Sequence, residues 1–500
     1  MANEFTRESL ESLLDAAMGR TLGEVDSKHL IDRYVESRPD RVVKGVPGDI
    51  IEQSVLGLPK DSLQKADLLV DGNPTELKVT GVYKRGEGTK AEYHAKERLT
   101  ITNVNYSGVV QESFIDSHLW EKIQNILLVY YQYGDARALS TEDYRKFRYL
   151  LYSNLHFSDE EREIIRSDWE QVQGFFASER GQYVIRQLQD SQTDDEERRA
   201  LRAELSAALG GLMYLEVAPK FPRARLAIKN SYFKVKTKEI FSAKASQQRL
   251  TGVSDYSDLL QQISKSVAPY VGMKLGDIAK EAAEAKSSTL ADRISKGATN
   301  YILGYMLTGD YVKASSIEEL AKAGFIVKAI PIKGTGHKKE DSKLTPVVFS
   351  EFEDDTAFED STLFDYLFSH RFLCGVFERH QGKDRSLDIF RGVKVIEFSD
   401  SMFEESARRV WETMRRMYLQ QEMTTHLALR KDGTVIYNKN GFPKMGNNLP
   451  KSKEYEIFIK GTSGDSSKKP LVLNGHAFYN LDYWIKGSLM VELLNESEFL

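Results

Sequence analysis

The stretch ADLLVDGNPTELKVTGV, residues 66–82, decides how this chain reads. Two short apolar runs, 66–70 and 75–82, flank Asp71, Gly72, Asn73 and Pro74, residue types that turn a chain. The pattern predicts two strands joined by that turn. In the second strand, period-two geometry sets Glu76 and Lys78 on one face and Leu77 on the other. If the strands pair, the turn brings Asp67 near Glu76. That layout suits phosphodiester hydrolysis. Two carboxylates can hold a hard cation such as Mg²⁺ over a phosphate, and the carbonyl of Leu77 can add a ligand. A lysine beside them can stabilise developing charge or orient water. The same pattern also describes a solvent-facing strand edge with a salt pair two residues apart.

Around this stretch the N-terminal half reads as mixed α/β. Leu10, Leu13, Leu14 and Ala17 have helical spacing, and 48–57 (GDIIEQSVLG) reads as a short helix ended by Gly57. RLTITNVNY at 98–106 alternates like a strand. HLWEKIQNILLVYYQY starts as a helix and ends in a buried strand at 126–131, with Tyr130 and Tyr131 in the core. Residues 158–189 and 194–210 are charged and helical in pattern. The expected class is α/β, a mixed sheet flanked by helices. TLGEV at 21–25 returns as KLGDI at 274–278, which suggests two diverged copies of one fold. The expected division is a domain over 1–245, a polar linker over 246–262 and a second domain over 263–500.

Composition bounds the function. The chain has 500 residues, 41% hydrophobic and 29% charged, which is ordinary for a globular protein. No apolar run approaches the roughly 20 residues that span a bilayer. The acids in MANEFTRESLESLLDAA do not suit a signal peptide. The one cysteine, Cys374, lies in an apolar stretch and is expected to be buried and inert. A reducing, cytoplasmic setting fits. Scattered histidines offer no zinc site, and His94 and His118 read as packing or DNA-contact residues rather than bases. A net charge of −5 argues mildly against a nucleic-acid binder. Charge is segregated, however. Residues 219–238 carry Lys220, Arg223, Arg225, Lys229, Lys234, Lys236 and Lys238 with no acid among them, while acids gather at 194–197 and 351–360. Such a run is either a solvated face or a phosphate-tracking groove.

Several spaced motifs together resemble the MutH family, which joins a mismatch-repair nicking enzyme with GATC-cutting type II restriction endonucleases. They are Thr21-Leu22-Gly23-Glu24; Lys44-Gly45 followed by Gly48-Asp49-Ile50-Ile51-Glu52; Asp67; Glu76-Leu77-Lys78; and Ser117-His118-Leu119-Trp120-Glu121-Lys122. The resemblance covers roughly residues 10–240. It implies a restriction-endonuclease-like, PD-(D/E)xK fold, with Asp67, Glu76 and the Leu77 carbonyl as ligands of Mg²⁺. It makes Lys78 the catalytic lysine, Glu52 a support of the metal site, and Lys44 and Lys122 auxiliary lysines. Ala95-Lys96-Glu97-Arg98-Leu99 resembles a segment that reaches DNA, which makes Glu97 and Arg98 candidates for contact. Pro219-Lys220 and Arg225-Leu226-Ala227-Ile228-Lys229-Asn230-Ser231-Tyr232 resemble the family's base-reading region, so Lys220, Arg225, Lys229 and Tyr232 become DNA-contact candidates. Ala218 and Ala227 depart from the family pattern there, which leaves the recognised sequence and the response to methylation open.

The second half resembles a degenerate copy. Gly324-Phe325-Ile326-Val327-Lys328 aligns with Gly-x-Glu-Leu-Lys, and Ile326 stands where the glutamate belongs. By analogy this copy binds another DNA site through residues such as Lys460, Lys468, Lys469, His476 and Lys486. The implied function is a Mg²⁺-dependent type II endonuclease on double-stranded DNA, at GATC or a related site. A cognate DNA methyltransferase is the implied system partner, and transient dimerisation or two sequential nicks would cut both strands. A repair-type nicking enzyme, a modification-dependent nuclease and a non-catalytic DNA-binding regulator are the alternatives.

Overall fold

A computed structural model describes residues 3–500 except 39–42, 44, 60–65, 86–91, 97, 134–139, 191–194, 219–223, 243–249, 251–252, 286–293, 295–296, 334–340, 354–355, 381–383, 399–400, 439–440 and 463–468. The chain divides into two compact units. The first holds Met1–Asp135, Leu139–Ser266 and Val312–Phe325; the second holds Ala136–Ala138, Val267–Tyr311 and Ile326–Leu500.

The first unit is mixed α/β. Its strands are β1 (Glu4–Phe5), β2 (Leu68–Val70), β3 (Asn73–Arg85), β4 (Glu92–Ala95), β5 (Leu99–Asn103), β6 (Ile126–Gln132), β7 (Arg148–Leu155), β8 (Leu215–Ala218) and β9 (Arg225–Ile228). Its helices are α1 (Arg7–Ala17), α2 (Leu22–Val25), α3 (Leu30–Ser37), α4 (Val46–Asp49), α5 (Tyr106–Val109), α6 (His118–Ile123), α7 (Asp159–Ala177), α8 (Glu179–Gln189), α9 (Asp195–Ala208), α10 (Asn230–Phe241) and most of α11 (Tyr256–Val267). The main sheet runs β1-β2-β3-β6-β7, with β4 also on β3, and a smaller sheet runs β5-β9-β8.

The stretch 66–82 forms the expected hairpin. Asp71 and Gly72 take φ of 48° and 79°, a two-residue turn with both centres left-handed, and Leu68 pairs with Thr75. Next to β3 lies β6, parallel to it with Glu76 opposite Ile126. Nearly every residue of β6 is buried, as a strand covered on both faces requires. Leu77 and Val79 point into a core with Leu10, Leu14, Ile50, Ile51, Val129 and Tyr149, which leaves Glu76 and Lys78 on the opposite face. The helix expected at 48–57 starts earlier, at Val46, and widens into a π turn over Ile50–Val55. The helical pattern of 158–189 breaks at Ser178, which closes α7 and caps α8.

The short helix Glu318–Lys322, in the first unit, packs on α10. There Lys322 is almost fully buried and binds Glu161 at 2.6 Å and also Glu318, while Lys236 reaches Glu161 at 2.8 Å.

The second unit contains α12 (Leu275–Ala285), α13 (Ala298–Thr308), β10 (Phe325–Lys333, from Ile326 onward), β11 (Ser342–Pro346), α14 (Thr362–Phe368), β12 (Arg371–Arg379), β13 (Ile389–Ile396), α15 (Ser401–Leu419), β14 (Thr425–Leu427), β15 (Met445–Asn447), β16 (Ile457–Thr462), β17 (Leu471–Leu473), β18 (His476–Phe478), β19 (Asn480–Ile485) and α16 (Gly487–Glu496). Its sheets run β10-β12-β13 and β11-β19-β16, with two-stranded pieces β14-β15 and β17-β18. Cys374, on β12, is fully buried in its core with Trp411 and Phe372. Among the described residues no helix is long and apolar enough to cross a membrane.

Burial raises the Glu161 carboxyl, but Lys322 and Lys236 outweigh it and hold it below its ordinary value. A depressed carboxylate contributes stability that is present above the unfolded value and lost as pH falls through the folded one. Glu161→Gln should therefore cost about 3 kcal/mol near neutral pH. The gap from wild type, read from urea midpoints, should shrink once pH falls below about 4.5.

Candidate active site

Two elements meet at the Glu76 carboxylate. It lies on β3, is 1% exposed, and faces Lys78 from its own strand and Lys122 from α6. The Lys78 ammonium donates to Glu76 Oε1 at 2.6 Å, and that of Lys122 donates to both carboxylate oxygens at 3.0 Å. The helix that carries Lys122 is fixed locally. The buried Ser117 hydroxyl accepts from the Trp120 N–H at 3.0 Å and donates to the Phe114 carbonyl at 2.7 Å, capping α6. The Glu76 N–H donates to the Asn125 carbonyl at 2.9 Å, which sets the helix-to-strand corner against β3.

Asp67 closes the group. The register that pairs Leu68 with Thr75 carries Asp67 toward Glu76, and Asp67 Oδ2 accepts from the Leu77 N–H at 2.9 Å. Burial raises the Asp67 carboxyl above its ordinary value, and the Glu76 charge raises it further; Lys78 and Lys122 act in the other direction. Two carboxylates whose charges act on one another favour a cation between them. The donor set fits Mg²⁺, which takes one or two protein carboxylates and fills its remaining positions with water or substrate phosphate.

Glu52 lies half-buried in the π turn. That turn is held by the Ser54 hydroxyl, which donates to Asp26 at 3.2 Å, and by the Tyr149 hydroxyl, which donates to the Pro47 carbonyl at 2.7 Å. Among the described residues no three acids, histidines or cysteines gather as a metal cage. Lys44 lies outside the described residues, as do Glu97, Lys220 and Lys468.

The basic run is not one continuous face. Arg225 is exposed on β9, and Lys238 is exposed 3.4 Å from Glu92. Arg98 pairs with Glu216 at 2.9 Å. Lys229 and Tyr232, candidates for DNA contact in the sequence, lie at interior positions. Lys229 is 8% exposed and donates to the Leu212 carbonyl; its charge also faces Asp168. Tyr232 is 0% exposed and packs on Tyr214. They open a helix whose first turn faces the core, and the sequence marked that only through the apolar Tyr232-Phe233 pair.

Asp168 escaped the sequence reading. Fully buried on α7, it accepts from the N–H groups of Met213, Tyr214 and Leu215 at 2.8, 2.6 and 2.8 Å. It orders the chain entering β8. One acid in a highly charged helix carries no pattern that would single it out.

Residues 56–168 match the family model for the DNA mismatch repair enzyme MutH. Over 482 residues, 90% of this chain and 87% of the relative, the sequence is 23% identical to the type II restriction enzyme Sau3AI of Staphylococcus aureus. The matched region contains Asp67, Glu76, Lys78 and Lys122.

Lys229→Met should lower folding stability by about 2 kcal/mol, since it strips a hydrogen bond and a counter-charge from a buried site. Its DNA affinity, measured by fluorescence anisotropy at several salt concentrations, should match the parent. A weaker salt dependence would restore the DNA-contact role.

Proposed function

Starting from a chain that carries a MutH domain, we propose that the protein is a type II restriction endonuclease that hydrolyses double-stranded DNA with Mg²⁺ at GATC or a related site. The observation that carries this is the meeting of Asp67, just before β2, Glu76 and Lys78 on β3, and Lys122 on a capped helix. Mg²⁺ bound by Asp67 and Glu76, with the Leu77 carbonyl as a further donor, would supply charge neutralisation at the phosphate. Lys78 and Lys122, freed from Glu76, would each offer an ammonium to the phosphate oxygens and hold the attacking water in line. Glu52 would support the site through water, and Lys44, Lys220, Glu97, Arg98 and Arg225 remain candidates for phosphate or base contact.

We further propose that the second unit is a degenerate copy of the first, as two sets of matching backbone contacts support. The N–H groups of Gly19 and Leu22 donate to the carbonyls of Tyr149 and Phe147 at 2.8 and 2.7 Å; those of Gly272 and Leu275 donate to Phe390 and Asp388 at the same distances. The sheet order β5-β9-β8 recurs as β11-β19-β16, antiparallel throughout. Ser117 before α6 and Ser361 before α14 are both buried caps. Counted from those serines, Tyr366 stands where Lys122 does; by the Gly-x-x-x-Lys pattern at 324–328, Ile326 and Lys328 take the places of Glu76 and Lys78. Ile326 packs on the apolar core, and Lys328 donates to the Lys343 carbonyl at 3.1 Å. Such a site would lack the carboxylate that Glu76 supplies in the first unit. One complete site in two copies favours a role for the second unit in holding another DNA segment, with transient dimerisation or sequential nicks to cut both strands. A methyltransferase that protects the host's own sites would complete the system.

Plasmid incubated with Mg²⁺ and no ATP should be cut by the wild type. Glu76→Ala should lose at least about a thousandfold in rate, some 4 kcal/mol of barrier. Comparing plasmid with and without adenine methylation at GATC tests the recognition site. Equal cutting by the variant would sink the site assignment, and nicked circles as the sole product would favour the repair-type alternative.

A further inference from the structure

Residues 424–448 of the second unit form an arm with no core of its own. Every described residue in it is exposed or half-exposed. Its framework is backbone. The Ala428 N–H donates to the Lys444 carbonyl, that of Ile436 to Ala428, and that of Lys444 to Ile436, at 2.8, 2.8 and 2.7 Å. These three residues are eight apart, and the two intervening blocks turn alike. Arg430 and Asn438 donate to the carbonyls of Thr434 and Phe442, both at 2.8 Å, and Gly433 and Gly441 take φ of 83° and 81°. The arm is thus a small repeat held by a closed ring of hydrogen bonds. It turns apolar groups outward: Leu427, Leu429 and Tyr437 are 47%, 55% and 60% exposed.

Its charge is one-sided. Among its described residues Arg430, Lys431 and Lys444 stand against a single acid, Asp432, in a chain whose net charge is −5. At its base, Lys444 and the backbone of β15 border an open cleft of about 420 Å³. Lys451, Lys460 and Lys469 also line it, and Asp341 is the one acid among the described lining residues. Trp484 and Tyr479 lie under the ammonium groups of Lys460 and Lys469, so these side chains stand against aromatic rings.

We propose that this arm and cleft bind duplex DNA, with the lysines on the phosphates and Leu429 and Tyr437 entering a groove against the bases. The inference rests on reading the chain as a DNA-acting enzyme and assigns a separate contact surface within it. Protein interfaces deplete charge at their apolar centre. Here cations interleave with the apolar side chains, as in proteins that hold DNA by phosphate contacts and wedge apolar groups into the minor groove.

The test uses the full chain in a Glu76→Ala background, so that binding is measured without cutting. For an end-labelled duplex, Leu429→Ala with Tyr437→Ala should weaken binding about tenfold and leave the salt slope unchanged, because apolar contacts release no counterions. Lys431→Ala with Lys444→Ala should lower the slope of log affinity against log salt by about two. A photo-crosslinking phenylalanine at 437 should attach to the duplex. Melting temperatures should hold, since all four positions are at the surface. Parent-like affinity and slope in both variants would overturn the proposal. So would a change in sedimentation of the DNA-free protein, which would make the arm a protein contact. If arm variants weaken binding while neither wild type nor Glu76→Ala cuts, the arm stands and the nuclease reading falls.

Discussion

The placement of Glu76 is the constraint on which the candidate site depends. A carboxylate 1% exposed on a central strand is costly to bury unless opposite charge and hydrogen bonds meet it. Lys78 meets it from the same strand, two residues on. Lys122 meets it only because β6 runs parallel to β3 and is entered through a short capped helix. A parallel neighbour needs a crossover connection, and here that crossover delivers the second ammonium. The fold's topology and the site's chemistry are thus one requirement.

The same arrangement explains what holds Asp67. It lies just before β2, where the two-residue turn fixes the register and the Leu77 N–H takes one carboxylate oxygen. A slip of one residue would turn Glu76 into the core and Leu77 toward solvent. Leu77 and Val79, packed against α1 and the π turn, oppose that slip. The apolar half of β3 therefore keeps the charged half in place.

The hairpin, the buried strand 126–132 and the Glu76-x-Lys78 face were legible because each rests on local periodicity and turn chemistry. Lys122 was legible through a resemblance rather than through spacing, since 46 residues separate it from Glu76. The fates of Lys229 and Tyr232 were not legible. Both stand in a run of cations that reads as surface, yet their positions are set by Asp168, Leu212 and Tyr214, which only the folded chain brings together. The π turn around Glu52 was also hidden, because a π turn and an α turn share their apolar pattern.

If the two units are copies, their difference at one position separates folding from function. On that reading Ile326 takes the place of Glu76, and it packs on the core of its own unit. Replacing a buried ion cluster by an apolar residue is commonly neutral or stabilising. The second unit keeps the sheet order, the buried serine cap and the glycine-led backbone rungs with that apolar residue in place. The fold itself thus has no need of the carboxylate. On that reading, burying Glu76 between two lysines in the first unit is a cost that folding does not explain, and cation binding at the proposed Asp67–Glu76 site would account for it.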